Sequence, residues 1–294
     1  MLRQTHKKIV ILTSILRPRR SLFCLNAHCS YGDIPTMMKN YIIITMITLL
    51  LLATTAAKVS ITKKPIATNN TEVLKKNTHK EAFDHAGFNE LLNNHVTLDG
   101  TVDYVQLKKN KTVLRLYLAA LGKKMPTDAW SQEDKLAYWM NAYNAMTIDL
   151  IIRNLPVASI KELKNPWKQS LWKLGGTLYN LNEIEHQILR KMGDPRIHFG
   201  INCASFSCPP LLNEAFTAKK VDTQLNALAK RFVNDTQRNT ITPKLITISK
   251  IFNWFSKDFK QEGTLIDFLN KYANTKINNN AKVRYMDYNW KLNN

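Results

Sequence analysis

Cysteine is scarce in this sequence, which has four cysteines among 294 residues. Cys24 and Cys29 lie near the N-terminus, so only Cys203 and Cys208 are available to the rest of the chain. A disulfide can join these two in an oxidising compartment. A domain of about 215 residues buries enough core without such a bridge. The sequence is therefore not that of a small protein held together by disulfides.

Several signature motifs are also missing. The sequence has no Gly-x-Ser-x-Gly elbow, no phosphate-binding loop, no dinucleotide fingerprint and no carboxylate pair of the glycosidase type. These absences argue against the common nucleotide-dependent and serine-hydrolase classes, and we expect no cofactor. No internal repeat is evident, and no motif indicates the substrate.

Acidic residues are few, 22 against 42 basic ones, which gives a net charge of +20. The lysines are spread along the chain, and no basic stripe alternates with aromatic residues. This distribution predicts a generally basic surface that attracts polyanions without a dedicated site. For an exported protein we expect a cell-envelope polymer or a peptide as the partner, and no nucleic acid.

The hydrophobic run near the N-terminus is short. Residues 41–57 are apolar and end in small residues, which is typical of a secretory signal peptide that starts at Met37 or Met38. Residues 1–36 are then an upstream extension. The alternative is an uncleaved membrane anchor, although the run is shorter than the ~20 residues of a comfortable span. Both interpretations predict export, with membrane contact only through this segment.

The rest of the chain is predicted to be a linker and one globular domain. Residues 58–78 lack apolar periodicity, as a linker does, whereas the pattern of residues 79–294 is globular and continuous. The helical segments dominate and the strands are few and short. We therefore predict an α+β fold, a mostly helical single domain with a central buried helix and one small, mainly antiparallel sheet.

The central helix carries two polar residues that need an explanation. Ser131 followed by Asp134 resembles a capping box, and the helix is predicted to end near Asn154. Its apolar residues surround the axis, which indicates a buried helix. Asn141 and Asn144 lie within that apolar surface and need partners there. They either hold neighbouring backbone groups or orient a catalytic imidazole.

A second helix, capped by Asn180 or Asn182 and ending before Gly193, contains another anomaly. Glu185 falls within its apolar stripe, and His186 lies at the edge of that stripe. A carboxylate in an apolar environment is costly unless it is paired. We therefore expect Glu185 to be buried and hydrogen-bonded.

Residues 196–211, RIHFGINCASFSCPPL, are where we expect the chemistry. The alternation from Ile197 to Ile201 predicts a short strand that leads into a turn at Cys203, with His198 five residues earlier. A thiol on a tight turn is a plausible nucleophile. A structural disulfide between Cys203 and Cys208, with an ordinary half-buried His198, is the competing interpretation.

Four segments together resemble the family catalogued as domain of unknown function 547. They are residues 138–156 (YWMNAYNAMTIDLIIRNLP), 181–190 (LNEIEHQILR), 196–211 and 288–293 (YNWKLN). The resemblance implies an exported single domain, with a looser similarity to papain- and transglutaminase-type cysteine enzymes. It points to Cys203, to His186 with Glu185, and to Asn141 and Asn144. In papain-type enzymes the histidine follows the cysteine, whereas both candidate histidines precede it here.

Three functions remain open from the sequence. The first is a cysteine-dependent hydrolase or acyl transferase acting on an amide or ester, with Cys203 as nucleophile and His186, or in reserve His198, as base. Asn202 or backbone amides of the turn would stabilise the oxyanion.

The second function is a zinc site made of His186, His198, Cys203 and Cys208. The third is a non-catalytic envelope or interaction module with a Cys203–Cys208 disulfide.

Overall fold

A long buried helix forms the centre of the domain. The computed structural model describes residues 81–294; the predicted signal peptide, the extension before it and the predicted linker (58–78) lie outside the described residues. The central helix spans Gln132–Asn154, and 18 of its 23 residues are buried. Its N-cap is Ser131, whose side chain accepts a hydrogen bond from the Asp134 amide, as the sequence predicts.

The other helices pack around this one. In chain order the helices are α1 (Ala86–His95), α2 (Tyr104–Lys109), α3 (Lys111–Lys123), α4 (Gln132–Asn154), α5 (Leu181–Glu183), α6 (Ile197–Gly200), α7 (Val221–Val233), α8 (Ile251–Trp254), α9 (Ser256–Phe259) and α10 (Leu265–Asn270), with 3-10 turns at Ile160–Glu162 and Pro166–Lys168. Helices α2, α3 and α7 all contact α4. None of the helices among residues 81–294 combines the length and apolarity that a membrane span requires.

The strands form two small sheets rather than the single one expected. A hairpin joins β1 (Trp172–Leu174) and β2 (Thr177–Tyr179) around Gly175–Gly176, whose positive φ angles suit glycine. The second sheet has the order β3 (Thr240–Ile241), β4 (Leu245–Ile248) and β5 (Lys282–Tyr285). Strands β3 and β4 are antiparallel, but β4 and β5 are parallel. The α+β class is confirmed, and the mostly helical composition with it.

The predicted strand before the cysteine turn is wrong, because residues Ile197–Gly200 form one turn of α-helix. All four residues of this turn are buried. Alternation over five residues predicts a half-buried strand only when the polar positions face water. Here His198 and Gly200 are buried as well, so the alternation does not report two faces of a sheet.

The helix that carries Glu185 is irregular. Asn180 caps it in a capping box with Glu183, and the α-helical start then widens into a π-helix over Ile184–Leu189. A 3-10 turn follows, and Gly193 ends the segment in the left-handed conformation. π-Helical turns are rare and are frequent at functional sites.

The segment of residues 288–293 ties distant loops together. The Leu292 amide donates to the Ala158 carbonyl, and the Val102 amide donates to the Asn293 carbonyl. The carbonyl of Lys291 accepts from the Phe206 amide at 2.7 Å, next to the cysteine turn. This segment therefore fixes the position of that turn within the domain.

Candidate active site

One cavity of about 470 Å³ brings together four of the predicted site residues. Cys203, His186, His198 and Glu185 all line it. The π-helix supplies Glu185 and His186, helix α6 supplies His198, and the turn that follows α6 supplies Cys203. Three irregular elements thus converge on a single cleft.

The turn at Cys203 is held in an unusual conformation by Asn202. Its side-chain oxygen accepts a hydrogen bond from the Ala204 amide at 2.7 Å, and its side-chain nitrogen donates to the Pro209 carbonyl at 2.9 Å. Ala204 has a φ of 61°, a left-handed conformation that costs energy for a residue with a Cβ. The Asn202 side chain compensates for this strain and directs the Cys203 side chain into the cavity.

Hydroxyl and thiol groups surround the sulfur of Cys203. Its Sγ lies 3.0 Å from Ser205 Oγ and 3.5 Å from Tyr288 Oη. Hydrogen bonding from the Cys208 thiol, and then from these two hydroxyls, holds the pKa of Cys203 below its usual value, although burial opposes this. These donors stabilise a thiolate, which is the nucleophilic form of cysteine.

The second thiol plays a different part. Cys208 is buried, and its Sγ accepts a hydrogen bond from the Cys203 backbone amide at 3.1 Å. Burial raises the pKa of Cys208, whereas the pKa of Cys203 is lowered, so Cys203 is the thiol of the two that ionises more readily. Both thiols are free in the structure, so the predicted structural disulfide is not formed there.

Glu185 is buried and paired, which confirms the expectation drawn from its place in the apolar stripe. It is 8 % exposed, and Tyr143 donates its hydroxyl hydrogen to Glu185 Oε2 at 3.0 Å. Burial raises the pKa of Glu185 to about 7, the negative charge of Cys203 acts in the same direction, and the bond from Tyr143 opposes both. A carboxyl group with such a pKa can both give and take a proton near neutral pH.

The half-buried His186 is bonded to Arg190 rather than to the thiol. The Arg190 Nη1 atom lies 3.1 Å from His186 Nδ1. A guanidinium group can only donate, so Nδ1 accepts and Nε2 carries the hydrogen of the neutral ring. Burial and the Arg190 charge lower the pKa of His186, which favours that neutral form. In this state His186 offers a donor and not a base.

His198 belongs to a network centred on Asp258. Its Nε2 lies 2.7 Å from Asp258 Oδ2, and its ring stacks on Phe255 with centroids 3.9 Å apart. Arg190 donates two hydrogen bonds to the same carboxylate, at 2.6 and 2.7 Å. Although partial burial opposes it, these donors hold the pKa of Asp258 well below its usual range. Sequence reasoning missed Asp258, since nothing near residue 258 indicates two partners so far back in the chain.

The predicted cysteine–histidine hydrogen bond is absent from the structure of residues 81–294. The described partners of the Cys203 sulfur are the hydroxyls of Ser205 and Tyr288 and the Cys208 thiol, and neither imidazole is among them. The sequence could not show this, because it indicates which residues share a cleft but not which atoms face each other. Catalytic roles for His186 and His198 stay predictions.

The residues predicted to act as orienting or oxyanion groups are engaged elsewhere. Asn141 bonds to both backbone groups of Phe216, and Asn144 bonds to the Gly200 carbonyl and the Asn202 amide. These bonds hold the backbone, which is the first of the two roles predicted for the asparagines. The side chain of Asn202 and the amide of Cys203 are likewise used within the turn. Each of these groups therefore already makes a structural hydrogen bond in this state.

The family comparison matches the central part of the chain. Residues 127–233 match the family model described as "Protein of unknown function, DUF547". This central region belongs to the DUF547 family. The match covers the central helix, the π-helix and the cysteine turn, and so includes Cys203, Glu185 and both candidate histidines. Comparison with curated proteins and with solved structures gives no match.

The four residues of the zinc hypothesis do not form a ligand cluster in the part of the chain that the structure describes. Within residues 81–294 no three or more histidine, cysteine, aspartate or glutamate side chains are arranged as metal ligands. His186 and His198 instead bond to Arg190 and Asp258, and Cys203 bonds to hydroxyl groups.

Other residues of the cleft lie beyond the DUF547 match. Trp254, Phe255, Tyr288 and Trp290 line the cavity, but the match ends at residue 233. The sequence did offer one signal, since residues 288–293 are among the segments that carry the family resemblance. That segment contributes Tyr288, the only tyrosine among the residues described as hydrogen-bonded to Cys203.

Proposed function

We propose that this protein is a cysteine-dependent hydrolase or acyl transferase that acts on an amide or ester bond. One observation supports this above the others: a thiol surrounded by donors shares a cavity with a buried carboxyl group whose pKa is about 7. Nucleophilic catalysis requires an activated nucleophile and a nearby group that exchanges protons near the working pH. Cys203 and Glu185 meet those two requirements.

In the proposed first step, the Cys203 thiolate attacks the carbonyl carbon of the substrate and a carbon–sulfur bond forms. The carbonyl oxygen becomes negatively charged. The Nε2–H of His186 is the donor in the cavity that suits this charge, because its Nδ1 is fixed by Arg190. When the intermediate collapses, the bond to the leaving amine or alcohol breaks and that group takes the proton of Glu185.

In the second step, Glu185 acts as a carboxylate. It takes a proton from water, or from an acceptor alcohol or amine, as that molecule attacks the thioester. The carbon–sulfur bond then breaks, the acyl group leaves as an acid or on the acceptor, and Cys203 returns as a thiolate. One group serves as acid and then as base, so a pKa near neutral favours both steps.

The proposal assigns Glu185 a larger role than the sequence suggested. His186 was the predicted base, and Glu185 was expected to be buried and hydrogen-bonded. Because Arg190 donates to His186 Nδ1 at 3.1 Å, the neutral ring presents a hydrogen rather than a lone pair to the cavity. The proton acceptor of the pair is therefore Glu185.

Alkylation kinetics test the nucleophile directly. At pH 7 we expect iodoacetamide to modify Cys203 faster than it modifies glutathione, because the thiolate fraction is higher when the pKa is lowered. Peptide mass spectrometry identifies the modified cysteine. The rate should reach half its maximum below pH ~8.5, the pKa of a free thiol. A rate equal to that of glutathione would contradict the proposal.

Two serine variants separate the two thiols. Cys203→Ser should abolish the labelling and any hydrolysis of a p-nitrophenyl ester, with an unchanged circular dichroism spectrum. Cys208→Ser is the matched control, since a hydroxyl at position 208 still both accepts from the Cys203 amide and donates to the Cys203 sulfur. It should keep most of the activity, and a covalent acyl-enzyme should appear by mass spectrometry in that variant but not in Cys203→Ser.

We further propose that the protein acts outside the cytoplasm, on the cell envelope. The support is the signal-like composition of residues 41–57 together with the basic charge of the whole chain. A mature protein that begins near Lys58 is the expected outcome. N-terminal sequencing of the protein from its own host tests this, and an intact Met1 in the cytoplasmic fraction would contradict it.

A further inference from the structure

Four aromatic side chains form one side of the cavity that holds Cys203. This aromatic wall consists of Trp167, Trp254, Tyr288 and Trp290. The ring centroids of Tyr288 lie 4.8 Å from those of Trp254 and 4.5 Å from those of Trp290. The planes of Trp254 and Trp290 differ by only 24° at a separation of 5.8 Å. Trp167 meets Trp290 edge to face, at 5.9 Å and 72°, so the wall presents both ring faces and ring edges.

The aromatic wall is open to solvent. Trp254 is 46 % exposed although it is a large apolar side chain, and Trp167 and Trp290 are only partly buried. Apolar surface that stays in contact with water does not contribute the free energy that its burial would supply. One exposed and several partly exposed rings gathered in one cleft are typical of a surface that a ligand covers.

The wall reaches the nucleophile through Tyr288. The Oη atom of Tyr288 lies 3.5 Å from Cys203 Sγ, while its ring contacts both Trp254 and Trp290. A ligand that stacks on these indoles therefore extends to within reach of the sulfur. The wall and the thiol are parts of one binding surface.

Positive charge and amide groups border the wall. Lys161 Nζ lies 4.8 Å from the centroid of Trp290, and Lys168 is an exposed residue lining the same cavity. Asn165 and Asn182 also line the cavity. Glu185, the carboxyl group of the cleft, is buried. The outer part of the cleft thus combines cations, hydrogen-bonding amides and aromatic faces.

We propose that the aromatic wall is a subsite for an anionic saccharide, which carries the amide or ester that Cys203 attacks. This inference rests on the proposed acyl-transfer function and adds the class of substrate. The sugar ring stacks on Trp254 and Trp290, and its negative group faces Lys161.

Sugar chemistry fits this combination better than that of a fatty acid. One face of a pyranose ring carries C–H groups, which pack on the electron-rich face of an indole. The hydroxyl groups at its edge need donors and acceptors, and the amides of Asn165 and Asn182 offer both. A fatty chain would require an enclosed apolar tunnel rather than an exposed indole. The excess of lysine and arginine over the whole chain also favours an anionic ligand.

Tryptophan fluorescence tests the subsite, because three of the four rings of the wall are indoles. We would titrate the full-length Cys203→Ala variant with tetragalacturonate, with maltotetraose and with 2-naphthoate. The expected result is a saturable change with tetragalacturonate at an affinity about tenfold or more above that for maltotetraose, since the charge contributes. That variant has no nucleophile, so its titration tests the subsite alone, whereas the alkylation experiment tests the thiol alone.

Variants of the wall supply the structural control. Trp254→Ala should weaken tetragalacturonate binding about tenfold or more, and Trp254→Phe should weaken it less, because a smaller ring still stacks. Lys161→Gln should reduce the preference over maltotetraose without changing maltotetraose binding. Trp130→Phe, in a partly buried tryptophan outside the cavity, should leave the affinity unchanged.

Other results would overturn the inference. Equal affinity for the charged and neutral oligosaccharides would remove the anionic preference. Saturation by 2-naphthoate without saturation by tetragalacturonate would assign the wall to an aromatic acid. Absence of any saturable change, or full binding in both Trp254 variants, would show that the wall is not a saccharide subsite.

Discussion

The hydroxyl of Tyr143 controls how readily Glu185 ionises. Its hydrogen bond stabilises the carboxylate and so opposes the burial that raises the pKa of Glu185 to about 7. Tyr143→Phe removes this bond with little change of shape. We therefore expect the pKa of Glu185 to rise above 7, as measured by carbon NMR of the labelled carboxyl group. An unchanged or lower value would show that Tyr143 does not stabilise the carboxylate.

The hydrogen bond between Tyr143 and Glu185 should also contribute to the free energy of unfolding. Glu185→Ala leaves the buried Tyr143 hydroxyl without its acceptor, so it should lower the free energy of unfolding by about 1–3 kcal/mol. The double variant Tyr143→Phe/Glu185→Ala has no unsatisfied group and should recover part of that loss. Urea unfolding of the four proteins in the cycle gives the coupling. Additive effects would argue against a direct bond.

For single residues, the sequence indicates which ones are unusual but not which groups they contact. Glu185 stands out because the apolar stripe around it makes an unpaired carboxylate costly. Its partner Tyr143 could not be predicted, since it is one of several apolar or aromatic residues on a helix buried all round. Asp258 was missed because its partners Arg190 and His198 lie about 60 residues or more away in sequence.

On the central helix α4, two asparagines make equivalent bonds to different places. Asn141 holds Phe216, whereas Asn144 holds Gly200 and Asn202 on the approach to the cysteine turn. Either alanine variant leaves two buried backbone groups without partners and should cost about 2–4 kcal/mol of unfolding free energy. Only Asn144→Ala should also slow the alkylation of Cys203. Equal alkylation rates in the two variants would separate Asn144 from the site.

The elements that were predicted well are those fixed by neighbouring residues. The Ser131 cap and the Asn180 cap each depend on a few adjacent positions. The helix at Ile197–Gly200 was predicted as a strand, because burial on all sides conceals the period of so short an element. The parallel pairing of β5 with β4 depends on tertiary packing, because more than thirty residues separate the two strands in the chain.

For the whole domain, a buried histidine far from the cleft makes stability depend on pH. His85 is buried, its Nδ1 lies 2.6 Å from Tyr117 Oη, and burial lowers its pKa to about 4. The unfolded chain, with a histidine pKa near ~6.5, binds more protons between those values. The contribution of His85 is therefore complete above pH ~6.5 and is lost as the pH falls towards 4.

His85→Gln keeps an acceptor for the Tyr117 hydroxyl but does not titrate. Between pH 7 and pH 4 the wild-type protein should lose about 2–3 kcal/mol more of its unfolding free energy than this variant does. Urea unfolding at several pH values measures the difference. Effects of the other titrating groups cancel in this comparison, so parallel pH profiles would show that His85 is not the cause.

The segment of residues 288–293 contacts the cysteine turn and so affects when Cys203 becomes reactive during folding. Tyr288 and Cys203 are 85 residues apart in sequence, and the loop between them must close before they touch. Closing so long a loop costs entropy, and contacts of this kind slow folding. Cys203 therefore behaves as an ordinary thiol in a newly made or partly folded chain. It becomes reactive when residues 288–293 pack against the cysteine turn. In a refolding experiment, the gain of rapid alkylation at Cys203 should therefore coincide with the final folding phase, in which the domain is completed.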